Sequence, residues 1–514
     1  MCVSLRSKTV LAVLVTLPFA ASALATDHVS GVIKLKARVS MEQLATNVTS
    51  SLSSRYGQFY TPQEIRALAA PAAQDYQSLI QDLKSEGFTI TSESPTHLWV
   101  SVSGSADQFT KNFGARFQFM ANGRHRHLTE NHLFAATRFS IVESVGGLDS
   151  TRVARPHHTR NQMAITLDPG GIAQSTIKSA YGLAPIYASG VTGKGQHIAV
   201  ATYNGFKVAD VQKFYKDSKL VPGPTVDAIN FNGTAPYDEG SAVETQLDAE
   251  FTGMIAPGAA VHVFTSAENS DAGELQVFTA ILDDNRAKVA NYSWGSCEDQ
   301  VSTSHLNEMK SVFARAVAQG VNIMVASGDS GSDSCQNGST VADWPADSDN
   351  VVSVGGTTFA QSGGQIAETG WSGSGGGISR LFDLPTYQSN FKAPYVKRSY
   401  PDVSFNADPK SGQAVWAHVN GVAQWLVIGG TSMAAPQWAG YLALVGEARA
   451  NAKKSTLGFL NPVIYGFSDS ERSTLFNDVT VGNNGDYSAS KGWDAVTGLG
   501  SMQGQNLLNR LVTQ

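Results

Sequence analysis

The sequence predicts an α/β protein in two unequal parts: a small α+β unit, then a larger unit built on a parallel sheet with helices on both faces. Three observations carry this. Beyond residue 163, short apolar runs at 197–201, 261–264, 289–292, 321–326 and 351–354 alternate with helix-like segments such as 276–285 and 305–319. Strand–helix alternation of this kind implies parallel strands covered on both sides. Before about residue 150 the pattern differs: strand-like runs at 32–37, 89–91 and 98–102 stand beside helix-like 61–69, with Pro62 just inside its start, and 72–85. Between the two parts, residues 151–163 hold Arg152, Arg155, Pro156, His157, His158 and Arg160 and almost nothing apolar. That composition reads as an exposed linker, open to proteolytic nicking.

The 514 residues suffice for two or three domains, and 42% hydrophobic residues supply their cores. Only 16% are charged, against a usual ~25%, and 49 glycines with many small residues take their place. This suits a loop-rich globular chain and not a disordered one. A net charge of −6 leaves no cationic footprint for nucleic acid. At the N-terminus, Arg6 and Lys8 precede an apolar run at 9–25 that closes on Ala23, Leu24 and Ala25. Residues 1–25 therefore read as a cleaved signal peptide of bacterial type, too short for a membrane anchor. The expected product is secreted, extracellular or periplasmic, with no membrane association after signal removal. Cys2 leaves with the leader, so Cys297 and Cys335 remain. In an oxidising compartment they are expected to form one disulfide, the alternative being two buried free thiols. No CxxC pair or Cys/His cluster suggests a zinc site.

In a parallel sheet the chemistry is sought in loops beyond the carboxyl ends of the strands. Gly429-Gly430-Thr431-Ser432-Met433-Ala434-Ala435-Pro436 places a serine where the chain enters a helix. The glycines permit close backbone approach, and a helix N-terminus favours developing negative charge. A plain N-cap would explain the Thr-Ser pair, but the whole octet resembles the nucleophile segment of subtilisin-like serine peptidases. Ala326-Ser327-Gly328-Asp329-Ser330-Gly331 is similar to the subtilisin segment whose Asn amide donates to the oxyanion. Asp329 can donate only when protonated, and is otherwise a turn residue beside glycine. The usual base is missing: after the linker come His197, His262, His305 and His418, none followed by Gly-Thr or Gly-Ser. Another base is offered by 241–255, where Val243, Leu247, Phe251, Met254 and Ile255 share a helical arc with Glu244 inside it and Asp248 beside it. Ser241 and Glu244 fit a capping box, which leaves Asp248 unexplained. Two carboxyls on one apolar margin should titrate apart, as acid/base pairs do.

Taken in order, Glu244-x-x-x-Asp248, Ser-Gly-Asp329 and Gly-Thr-Ser432 resemble the sedolisin family of serine-carboxyl peptidases. The similarity continues through Ala256-Pro-Gly-Ala, Ser293-Trp-Gly295, Gly375-Gly-Gly-Ile-Ser379 and Pro401-Asp-Val…Asn406-Ala-Asp-Pro409. Tyr56-Gly-Gln-Phe-Tyr-Thr61-Pro62-Gln-Glu64 resembles the family's propeptide. The resemblance implies a ferredoxin-like propeptide at 26–163, its linker at about 151–163, and a three-layer subtilisin-like peptidase domain at 164–514. It implies Ser432 as nucleophile, Glu244 as general base, Asp248 orienting it, and a protonated Asp329 in the oxyanion hole. A Glu base, near ~4.3 in a free chain, then replaces a His base near ~6.5, and catalysis moves to acid pH with a bell-shaped profile.

The same resemblance implies one structural Ca²⁺, held by the side chains of Asp478 and Asp494 and the carbonyls of Val479, Ser490 and Gly492, the oxygen donors calcium prefers. The family usually has Gly where this chain has Ser490, an exchange that works only if φ need not be positive there. Both cysteines fall in loops at the active-site end. The implied function is a secreted, acid-acting serine endopeptidase made as a self-processing zymogen. Its own propeptide would be its inhibitor and chaperone, proteins and peptides its substrates, and a monomer its state. A tripeptidyl-type exopeptidase and an inert family member acting as a binding protein are the alternatives. No G-x-S-x-G elbow, HExxH helix or P-loop points elsewhere.

Overall fold

The computed structural model describes residues 28–120, 126–131, 139–166, 170–362, 365–389 and 395–514, and the leader at 1–25 lies outside them. In the N-terminal unit four strands form an antiparallel sheet in the order Thr89–Glu93, Trp99–Ser105, His28–Leu35, Val142–Gly146. Alternation along His28–Leu35 sends Val29, Ile33 and Leu35 into the unit's own core and Val32 to the opposite face, into the core of the larger unit. Helices Pro62–Ala69 and Ala73–Ser85 follow the first strand and Ala106–Phe113 follows the third. This is the connectivity of a ferredoxin-like unit. Thr61 starts the first of these helices with a reciprocal box: its N–H donates to Glu64 Oε2 at 2.8 Å, and the Glu64 N–H donates to Thr61 Oγ1 at 3.2 Å.

The larger unit holds six parallel strands in the order Thr225–Asn230, Ala260–Thr265, His197–Thr202, Val289–Tyr292, Asn322–Ala326, Val352–Ser362. Val403–Asn406 extends them in parallel and Gln365–Gly370 antiparallel. The inner strands are buried almost throughout, as a sheet covered on both faces requires, while the edge strand Thr225–Asn230 is largely exposed. Helices Glu239–Ile255 and Thr431–Asn451 pack together on one face, and Asp271–Asp284 with Thr303–Ala318 on the other. The N-terminal unit rides on this second pair, with helix Met41–Thr49 lying along Thr303–Ala318. The Phe59 ring seats on Gly320 and Gly458, where an added Cβ would come within 2.5 and 2.2 Å of it. Cys297 and Cys335 are joined in a disulfide, Cα–Cα 4.8 Å. Among the described residues no helix is long and apolar enough to cross a membrane.

The exposed linker expected at 151–163 is instead threaded into the larger unit. Arg152, Ala154 and His157 are buried. Arg155–Pro156 pairs antiparallel with Trp294–Cys297, and Thr159–Thr166 with Val422–Gly429 across the expected domain boundary. A charged, proline-bearing segment reads as solvated only while its partners are unknown; here acids distant in sequence meet its cations.

Candidate active site

Ser432 lies in the first turn of helix Thr431–Asn451, fully buried. Gly430 precedes the helix at φ +118°, where a side chain is strained, and it has no room for one. A Cβ there would stand 2.4 Å from the His157 carbonyl oxygen and 2.6 Å from Asp329 Oδ2. Two functional groups therefore converge on one bare glycine. The Ser432 backbone N–H donates to the His157 carbonyl at 2.9 Å. The Ser432 hydroxyl faces the carbonyl of Ser293 at 3.4 Å.

Asp329 follows strand Asn322–Ala326 through Gly328, which has φ +109°. The residue is partly exposed, but its carboxyl group is enclosed and accepts from the Thr431 N–H at 2.8 Å and the Thr431 hydroxyl at 2.9 Å. That enclosure pushes it up to about 6, against the opposing pull of the His157 charge and the two Thr431 bonds. An acid with this value carries its proton in mildly acid solution and can then donate a hydrogen bond.

Glu244 and Asp248 lie one turn apart on helix Glu239–Ile255, both with no exposure. The expected capping box at Ser241 is absent: the helix begins two residues earlier, and Asp238 caps it by accepting from the Ser241 N–H at 2.8 Å. Glu244 is thus free of any capping duty. Burial, reinforced by the charge of Glu244, pushes Asp248 well above the usual carboxylate range. Asp248 Oδ1 accepts from Ser293 Oγ at 2.7 Å, and Asn291 Nδ2 donates to that same hydroxyl at 3.1 Å. Ser293 therefore touches Asp248 with its side chain and Ser432 with its carbonyl. It stands in the Ser-Trp-Gly string, where spacing alone gave it no role.

The linker completes the site. Glu244 Oε2 is bonded to His158 Nδ1 at 2.5 Å, not to Ser432, and its other oxygen has no hydrogen-bond partner among the described residues. His157 Nε2 lies 3.2 Å from Asp343 Oδ1, whose other oxygen accepts from Ser334 Oγ at 2.6 Å. Burial disfavours the His157 cation, but the charge of Asp343 beside it prevails and raises the imidazole to about 9. A cavity of about 230 Å³ opens alongside, walled by Ser296, Cys297, Asp329, Ser334 and Asp343. Asp343 sits in the unremarkable string Ala342-Asp343-Trp344 and carried no sequence signal.

The residues read as calcium ligands also come together. Asp478 accepts from the Gly492 N–H at 3.0 and 3.2 Å, and Asp494 Oδ2 from the Ser490 N–H at 3.0 Å. Asp494 Oδ1 takes the N–H groups of Val496 and Thr497, each at 2.9 Å. Asp494 is buried, its bonds come from neutral donors, and no cation is paired with it among the described residues. An all-oxygen set with an uncompensated buried carboxylate suits a hard divalent cation. Gly492 has φ +86°, whereas Ser490 is not among the residues with positive φ, so serine fits there.

Known proteins share this architecture. Residues 20–149 match the pro-kumamolisin activation domain and residues 240–497 match the subtilase family. Kumamolisin from Bacillus sp. (strain MN-32) is 34% identical over 80% of this chain and 78% of its own. Sedolisin from Pseudomonas sp. (strain 101) is 30% identical over 93% of this chain and 86% of its own. The chain belongs to the sedolisin family of serine-carboxyl peptidases. Its peptidase domain superposes on the solved structure of Pseudomonas sedolisin, complexed with two molecules of pseudo-iodotyrostatin, with a TM-score of 0.60. The match is 31% identical and covers 68% of this chain and 99% of that one. Like its relatives, this chain is a serine peptidase preceded by an activation domain.

The His157–Asp343 contact can be read directly. In a Ser432→Ala precursor the His157 imidazole, followed by NMR, should titrate near 9. Asp343→Asn should lower it by at least about one unit, because burial then acts against the cation with its main partner gone. An imidazole titrating near ~6.5 with Asp343 intact contradicts the placement.

Proposed function

We propose that the chain is an exported zymogen that cuts its own linker after His157 in acid and then works as an endopeptidase through an acyl-enzyme on Ser432. One observation carries this reading. The His157 carbonyl oxygen accepts from the Ser432 N–H, which brings the His157–His158 peptide bond to the hydroxyl that would attack it. Export rests on Arg6, Lys8 and the apolar run at 9–25.

Ser432 Oγ adds to the His157 carbonyl carbon and passes its proton to Glu244. The oxyanion takes hydrogen bonds from the Ser432 N–H and from the protonated carboxyl of Asp329. The bond to His158 then breaks, and its amine leaves with the proton from Glu244. Water, losing a proton to Glu244, releases the acyl group. Asp248 keeps its own proton throughout and so supports Glu244 without competing for the one in transit. In the precursor His158 holds Glu244 away from Ser432, and that bond must be exchanged before attack.

The occupied cleft favours an endopeptidase over a tripeptidyl-type enzyme. A peptidase that removes three residues closes its cleft beyond the third. Here the chain continues past the third through Ala154 and Val153 to Arg152, still held by the peptidase domain.

Processing tests the reading. Acidified wild-type precursor should yield a new N-terminus at His158, while Ser432→Ala stays intact over the same hours. A Ser432→Ala chain cut at the same bond shows that another protease does the work. The pH dependence tests Asp329. Its proton is lost as pH rises through about 6, so kcat/KM should fall above that value. Asp329→Ala should cost roughly 10²–10³ in kcat at the optimum. A loss under threefold, or a wild-type rate still rising past pH 8, contradicts an oxyanion role.

One calcium ion at the C-terminal loop belongs to the same proposal, held by the side chains of Asp478 and Asp494 and the carbonyls of Val479, Ser490 and Gly492. Bound there it supplies charge compensation for Asp494 and no chemistry. At a hundredfold excess over Kd it would add about 2.7 kcal/mol. Chelation should then lower Tm by roughly 5 °C, and Asp494→Asn should erase the response. A Tm indifferent to chelator contradicts the site.

A further inference from the structure

The linker is gripped by its side chains at a second place, five residues before His157. Arg152 is buried although its neighbours Thr151 and Val153 are exposed. Its guanidinium meets four partners: Nε donates to Asp271 Oδ1 at 2.7 Å, Nη1 to Ser296 Oγ at 3.2 Å and Nη2 to Glu274 Oε2, with His305 Nε2 2.9 Å from Nη2. A single ammonium could not span them, so the pocket is shaped for arginine and not for lysine.

The pocket is built by the peptidase domain without help from the linker. Glu274 accepts from Tyr292 Oη at 3.0 Å, Trp344 Nε1 at 3.2 Å and His305 Nε2 at 2.6 Å. Asp271 opens helix Asp271–Asp284, which Ser270 caps by accepting from the Gly273 N–H at 3.2 Å. Burial works to raise Glu274, but the charge of Arg152 and these bonds hold it well below the usual carboxylate range. The acid thus stays ionised in acid solution while a cation occupies the pocket. The cover comes from the activation domain: a Cβ on Gly147 would stand 2.5 Å from Ala272 Cα, so this backbone lies directly on the helix start. Departure of that domain opens the pocket to the cleft.

Between the two grips the contacts are ones any peptide can make. Asn269 holds both backbone groups of Ala154, donating to its carbonyl and accepting from its N–H at 2.9 Å each. Arg155 and Pro156 pair through the backbone with Gly295 and Trp294. The linker therefore lies as an extended peptide read by side chain at Arg152 and His157.

We propose that the pocket of Asp271, Glu274 and Ser296 becomes, in the matured enzyme, a distal subsite that selects protein substrates carrying arginine five residues before the residue whose carbonyl is attacked. This rests on the peptidase reading of Ser432, and the test separates the two. The full chain after acid treatment is given three quenched-fluorescence peptides: Arg-Val-Ala-Arg-Pro-His-His-Thr-Arg, and the same with its first residue replaced by citrulline, the neutral isostere, or by lysine. Mass spectrometry fixes the bond cut. The arginine peptide should be cut between the histidines with kcat/KM roughly 10- to 100-fold above the citrulline peptide, mostly through KM, with lysine close to citrulline. In Asp271→Asn enzyme the arginine-to-citrulline ratio should shrink to within about threefold. Equal rates for arginine and citrulline in wild-type enzyme, both peptides being cut, overturn the subsite alone. If no peptide is cut, the peptidase reading falls and the subsite with it.

Discussion

Burial of acids around one serine is the constraint on which the rest of this molecule depends. Glu244, Asp248 and Asp343 are buried, and the carboxyl of Asp329 is enclosed. Among the described residues, no lysine or arginine of the peptidase domain is paired with Glu244, Asp248 or Asp343. An isolated buried carboxylate left without compensation costs about 3–5 kcal/mol, so each acid needs a proton or a cation. The precursor meets that need with its own linker: His157 faces Asp343, His158 faces Glu244, and Arg152 serves Asp271 and Glu274 in the same manner further along. Once the linker leaves, those partners leave with it.

The same constraint explains how a substrate-like segment can inhibit. The linker makes the contacts of a peptide about to be cut, with its carbonyl on the Ser432 N–H, yet its next residue occupies the base. The activation domain fixes this arrangement from the far side, through Phe59 on two bare glycines and through the backbone at Gly147 against helix Asp271–Asp284. Recognition and restraint are one set of contacts.

How much of this was legible depended on whether the information was local. The strings around Glu244, Asp329 and Ser432 are short, each bound to one element, and the structure brings all of them together. Strands at 197–201, 261–264 and 289–292 and the helix start marked by Pro62 stood out because periodicity and helix-start signals act within a few residues. Helix Asp271–Asp284 begins five residues before the expected start at 276, since Ser270 caps it and the polar first turn hid it. The capping box at Ser241 was a false local fit, displaced by Asp238. The linker was misread for the opposite reason: nothing within it reveals that Asp271, Glu274 and Asp343 lie 119 to 186 residues away in sequence and in contact. Asp343 and Asn269 likewise acquire meaning only from what the fold puts across from them.

The central claim is that the precursor holds its own scissile bond at its own serine, so maturation is a reaction within one molecule. The most direct measurement is the initial rate constant for appearance of the His158 N-terminus after a drop to acid pH, followed over a hundredfold range of precursor concentration. The account predicts a single first-order constant, unchanged by dilution. A rate constant that falls in proportion to concentration would mean that one molecule cuts another, and that the linker seated on Ser432 is not the one being cleaved.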